Sequence, residues 1–237
     1  MIDVLDGAEI RTVTIVRPER RNALTPDGLD DLARAVREAH QPVVYLCGEG
    51  AAFCAGADLD IVAGLDRESA EEFAERGQRV TNEIERADSV VVAGIDGAAR
   101  GGGVELALAC DLRVATPDAT FAEPGVQLGI FGAWGGTARL PDIVGLGDAL
   151  DLALSGRVVT AEDARRMGLV SRIVEEPRSV AEEIAVNAPD ALRIVKTRVR
   201  DRSSVNVQTE REAEAFGELV AANAADIAAR RNSGEPK

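Results

Sequence analysis

Two short apolar runs, Val43-Val44-Tyr45-Leu46 and Val90 to Ile95, each lead into a glycine-rich stretch and then into a helical pattern. A continuous apolar run of this length reads as a strand buried on both faces, and parallel strands covered by helices are where such strands occur. Upstream, Ile10 to Val16 alternates Val13 and Ile15 with Thr12 and Thr14, as a half-buried strand does. Thr25-Pro26 supplies an N-cap and a first-turn proline, and Leu29, Leu32, Ala33 and Val36 share one face, so a helix is expected over 26–39. The alternation continues with a loop over 48–58, a helix over 68–86, the strand at 90–95, a short helix and a strand at 112–115. This order specifies an α/β body with mainly parallel strands. Beyond about residue 145 strands become scarce, and helices are expected over 147–154, 160–167, 179–200 and 205–231. On the last, Phe216, Leu219, Val220, Asn223 and Ile227 share a face that needs a partner surface.

Composition narrows the possible partners. The 237 residues carry 27 basic and 41 acidic side chains, a net charge of −14, which repels phosphate backbones and anionic lipid headgroups. No nucleic-acid or membrane partner is expected. No apolar stretch reaches the length of about 18 residues that a membrane span needs, and the start, MIDVLDGAEIR, lacks a basic and an apolar leader region. Cys47, Cys54 and Cys110 form no CxxC pair and cannot all pair with one another, so reduced thiols and a cytoplasmic location are expected. Lys196 and Lys237 are the only lysines, a skew that a GC-rich genome or a high-salt cytoplasm would equally produce.

Two loops can carry chemistry. The first, Phe53-Cys54-Ala55-Gly56-Ala57-Asp58-Leu59, follows a buried strand, and its small residues let main-chain amides stand beside a ligand; a tight strand-to-helix connection would need the same glycine. The second runs from Gly97 through Gly101-Gly102-Gly103-Val104-Glu105 into an apolar helix. A helix N-terminus offers unpaired N–H donors and about half a positive charge, which suits an oxyanion. Glu105, three residues beyond Gly102, lies one turn away on the same face, either as a catalytic carboxylate or as an acid stabilising the helix dipole. His40, the only histidine, is expected to cap the end of a helix, which leaves a histidine triad or a histidine-rich metal site without support. Dinucleotide-loop, phosphate-loop and nucleophile-elbow strings are absent from the sequence.

Taken together, CAGADL and GGGVELALACDLRVA resemble the crotonase family of enoyl-CoA hydratases and isomerases. Further matching stretches, in order, are Arg17 to Leu24, Gly135-Gly136-Thr137-Ala138-Arg139-Leu140-Pro141, Leu154-Ser155-Gly156-Arg157 with Ala161 to Ala164, and Gly168-Leu169-Val170. The resemblance implies a ββα spiral core over 1–190 and a helical C-terminal subdomain over 191–237 that builds a homotrimer, often paired into a hexamer. It places the oxyanion hole on the amides of Ala57 and Gly102, gripping the carbonyl of an acyl-CoA thioester, with Glu105 taking a proton from water. It also places Ala55, Ala57, Asp58 and Leu59 against the adenine and pantetheine of CoA, and Arg20 or Arg21 at its phosphates. Neither a metal nor a cofactor is implied beyond the CoA that the substrate itself carries.

One position departs from the family pattern. The second hydratase glutamate should follow Pro124, and this chain has Gly125 there; Glu123, on the other side of the proline, is the nearest carboxylate. The expected activity is hydration of a 2-enoyl-CoA. The alternatives are an acyl-CoA-binding homologue with little turnover, or a double-bond isomerase or thioester hydrolase on the same site. Trp134, the one bulky residue in Gly132-Ala133-Trp134-Gly135-Gly136, belongs either to the core or to the acyl pocket.

Overall fold

The computed structural model describes residues 1–233, so residues 234–237 of the expected C-terminal subdomain lie outside the described residues. The chain divides into two compact units, Met1–Val186 and Asn187–Lys237, beside the division expected at 190/191.

In the first unit, β1 (Ile2–Asp6) and β2 (Ile10–Ile15) form an antiparallel pair, followed by α1 (Pro26–Arg37). The side-chain oxygen of Thr25 accepts from the Gly28 amide at 3.1 Å, Pro26 opens the helix, and Leu29, Leu32, Ala33 and Val36 are buried, as the spacing predicts. A repeated unit comes next, in which a long strand turns into a short strand and then into a helix. β3 (Val43–Gly48) leads to β4 (Ala52–Cys54), a single turn α2 (Leu59–Val62) and the long α3 (Arg67–Arg86). β5 (Val90–Ile95) leads to β6 (Ala98–Arg100) and α4 (Gly102–Ala109). β7 (Leu112–Ala115) leads to β8 (Thr120–Ala122), a 3-10 turn (Pro124–Leu128) and α5 (Gly136–Val144). The unit closes with α6 (Leu146–Ser155), β9 (Val159–Thr160), α7 (Ala161–Met167), β10 (Arg172–Ile173) and α8 (Arg178–Ala185).

The long strands form one sheet in the order β1-β2-β3-β5-β7-β10, parallel from β2 onward. The short strands form a second sheet, β4-β6-β8-β9, parallel except at β8-β9. These strands of two or three residues are too short to show a period, which is why the sequence pattern reads them as loop. Leu46, Phe53, Ile95, Leu106 and Phe121 are fully buried, and each contributes about 1.5–3 kcal/mol on removal from water. α3 opens with a capping box between Asp66 and Ser69 and buries Phe73, Val80 and Ile84.

Two expectations are corrected. α1 ends at Arg37, and His40 stands exposed beyond it without capping the helix. The helix expected over 179–200 is two helices, α8 and, in the second unit, α9 (Pro189–Val199), because Pro189 cannot donate into a helix and forces Ala188 into an extended conformation (ψ 121°). The second unit consists of α9 and α10 (Val205–Ser233), and Phe216, Val220 and Ile227 of α10 are exposed in the single chain.

Candidate active site

The parallel register of the second sheet assembles the site. Cys54 pairs with Ala99 and Arg100 with Ala122, so the chain leaving β4, β6 and β8 emerges at one edge. The segments 55–58, 101–102 and 123–125 thereby become neighbours although the sequence separates them widely.

The first of these is fixed by Arg21 to Leu24, one of the stretches that carry the family resemblance. Buried Asn22, in the left-handed region (φ 59°), donates to the carbonyls of Glu49 at 2.9 Å and Ala52 at 2.7 Å. The Ala55 amide donates to the Arg21 carbonyl, the Leu24 amide to the Gly56 carbonyl at 2.7 Å, and the Asp58 amide to the Leu24 carbonyl. Cys54 adds an Sγ donor to the Asn22 carbonyl, and burial pushes its thiol up to about 12, so it acts as a neutral hydrogen-bonding group. In this parallel bridge Leu24 bonds to the residues flanking Ala57, and the Ala57 amide is turned away from it.

The second amide belongs to Gly102, the first residue of α4, where no preceding turn can accept from it. Neither amide has a hydrogen-bond acceptor among the described residues. The two loops touch at this point. A Cβ on Gly56, whose φ is +85°, would stand 2.7 Å from the Gly102 nitrogen and 2.7 Å from the Arg100 carbonyl oxygen. Glycine at 56 is therefore required both by its backbone conformation and by the space beside the Gly102 amide.

Glu105 lies one turn along α4 and is 1% exposed. Its Oε1 accepts from the Trp134 amide at 2.8 Å and the Gly136 amide at 2.7 Å. Burial raises its pKa above the ordinary carboxylate range, opposed by those two amides and by the Arg139 guanidinium. Ala55, Ala57, Gly102, Glu105, Gly125 and Trp134 all line one cavity of about 400 Å³, in which Glu105 is the only titratable residue among the described ones. Leu59 also lines it and is exposed.

Trp134 is packed in the core and also lines the cavity. It is 3% exposed and meets Phe73 edge-on, with ring centroids 6.0 Å apart. Its ring also covers Gly102, where a Cβ would come within 2.3 Å of it. Asp58 departs from expectation: it is turned inward, with Oδ2 2.6 Å from Nη1 of Arg17 and Oδ1 accepting from the Asp60 amide, and it does not line the cavity. Those partners hold its carboxyl below the usual range, so its role is to fix the loop. Arg20 pairs with Asp60 at 2.8 Å, and neither it nor Arg21 lines the cavity.

Glu123 is the carboxylate nearest Gly125 in the sequence, where an acid before a proline carries no distinguishing signal. Its Oε1 is shut off from solvent without a hydrogen-bond partner. Burial, and secondly the Glu105 charge, push its pKa up to about 9.

The sequence model of the enoyl-CoA hydratase/isomerase family matches residues 6–226. Among curated proteins, the chain is 34% identical to a short-chain-enoyl-CoA hydratase of Clostridium acetobutylicum, over 89% of this chain and 85% of that one. It is 36% identical to a crotonyl-CoA hydratase of Syntrophomonas wolfei, over 88% and 85%. Among solved structures, an enoyl-CoA hydratase from Bacillus anthracis superposes with a TM-score of 0.86 at 32% identity, over 92% of this chain and 90% of that one. With its paired strand-end loops and its two-sheet core, the chain belongs to the enoyl-CoA hydratase/isomerase, or crotonase, family.

Proposed function

We propose that this protein is a 2-enoyl-CoA hydratase in which Glu105 performs both proton transfers. The observation that carries this reading is the pair of unengaged amides, Ala57 and Gly102, opening with Glu105 into a single cavity. Adding water across an α,β-unsaturated thioester drives negative charge onto the carbonyl oxygen. A preorganised N–H aimed at that oxygen contributes about 3–4 kcal/mol in comparable sites.

The balance of atoms fits one carboxylate. Glu105 takes a proton from water, and the hydroxide oxygen bonds to the β carbon. The π electrons move to the thioester, where the enolate rests on the two amides. Protonated Glu105 then returns its proton to the α carbon and regenerates the carboxylate. The fixed Oε1 leaves Oε2 to do this work.

Ala55 and Leu59, on the cavity wall, support the expected contact with CoA, and Arg20 and Arg21 are assigned its phosphates by the family resemblance alone. The exposed apolar residues of α10 support assembly into a homotrimer or hexamer of identical chains. Among the described residues no helix is long and apolar enough to cross a membrane, and we assign the protein to the cytoplasm.

Gly125 favours a second reading, an acyl-CoA-binding homologue with little turnover. Incubation with crotonyl-CoA separates the two. The hydratase reading predicts decay of the conjugated thioester absorbance, whereas calorimetric binding without decay would establish the second. Gly125→Glu would raise hydration where an acid is limiting, although a Cβ there lies 3.0 Å from the Phe131 Cα, so segment 130–131 must shift to admit it.

A further inference from the structure

A second cavity of about 260 Å³ adjoins the first, lined by Glu123, Thr137, Leu140, Ala149, Leu150 and Ala153 among others. Phe131 and Gly132 line both cavities, and the Glu105 carboxyl fills the space beside Gly132 that a side chain there would need. Among the described residues Glu123 is the only titratable one on its wall, and the lining holds no cation. A buried carboxyl oxygen without a partner is rare, because a lost hydrogen bond in such a setting is costly. Family hydration chemistry does not require it, since Glu123 does not line the cavity that holds Glu105 and the two amides.

We propose that the second cavity receives the far end of the acyl chain, and that Glu123 selects a chain bearing a neutral oxygen, a ketone or a hydroxyl, over a plain hydrocarbon chain. This rests on the acyl-CoA reading above. The apolar wall accommodates methylene groups, and a protonated Glu123 offers one O–H donor and one free acceptor to an oxygen on the chain. A carboxylate-ended chain is disfavoured, because it would bring a charge into an apolar cavity that faces the Glu105 anion and holds no cation. A plain chain leaves Glu123 unpaired.

The test is isothermal calorimetry of the full chain with octanoyl-CoA and with its oxo and hydroxy derivatives oxygenated near the chain end. The wild type should bind an oxygenated chain about tenfold tighter than the plain one. Glu123→Leu should reverse that order. Glu123→Gln, which keeps an uncharged donor and acceptor, should retain it and guards against a folding defect in the leucine variant. Equal affinities in the wild type, or a preference that survives in Glu123→Leu, would overturn the proposal. Absence of binding heat with every CoA thioester, crotonyl-CoA included, would instead overturn the acyl-CoA reading and the proposal with it.

Discussion

Glu105 and Glu123 each line one of two cavities that share Phe131 and Gly132, and their surroundings give them opposite characters. Burial raises the pKa of both. At Glu105 two main-chain amides and the Arg139 guanidinium oppose that rise, whereas at Glu123 the Glu105 charge adds to it. Under the proposed hydration this suits Glu105 to the part of base, while Glu123, pushed up to about 9, remains an acid at neutral pH. Hydrogen bonding, rather than depth of burial, separates a group that can take a proton from water from one that can only offer a proton to a neutral partner. The distinction is set by the loop 132–136, whose amides at Trp134 and Gly136 hold Glu105 and whose glycines leave room for its carboxyl.

The largest effect expected from breaking this contrast is that of Glu105→Gln. The amide oxygen keeps both bonds to the loop, so crotonyl-CoA binding by calorimetry should persist while turnover falls about a thousandfold. Unchanged turnover would remove Glu105 from the chemistry. Next, Ala57→Pro deletes one unengaged amide and should lower kcat about a hundredfold or more in a variant whose thermal midpoint shows it folded.

A smaller effect concerns stability. Below its ordinary value of 4.5 the Glu123 carboxyl is protonated in both the folded and the unfolded chain. As pH rises, the unfolded chain releases that proton and the folded chain retains it up to about 9, so stability declines across this window. Melting curves from pH 5 to 9 should slope downward by several degrees more in the wild type than in Glu123→Gln; parallel slopes would show Glu123 ionised in the fold. The smallest effect is electrostatic. Removing the Glu105 charge with Glu105→Gln should lower the Glu123 pKa, read from the pH dependence of its carboxyl carbon-13 shift, and an unmoved titration would show the two groups uncoupled.

Much of this arrangement is legible in the sequence because it is local. The apolar runs of β3 and β5, the cap at Thr25-Pro26 and the glycines opening α4 each act within a few residues. Glu105 and Gly102 are legible as a pair because helical spacing relates them. What stays hidden depends on distant segments. Asn22 looks like an ordinary polar residue until the carbonyls of Glu49 and Ala52 converge on it. Asp58 looks exposed to ligand until Arg17 is seen to take its carboxyl. Glu123 acquires its character only when α5 and α6 enclose it in an apolar cavity. The break before α9 is a different case: Pro189 is visible in the chain, and its effect outweighs the apolar periodicity that runs through it.

The convergence of the Ala57 and Gly102 amides on one thioester oxygen is tested most directly by difference infrared spectroscopy of a bound enoyl-CoA carrying carbon-13 at the thioester carbonyl. The carbonyl stretch should move to lower frequency on binding to the wild type, and should recover part of that shift in Ala57→Pro. A stretch that stays at its solution frequency in the wild-type complex would contradict the oxyanion site.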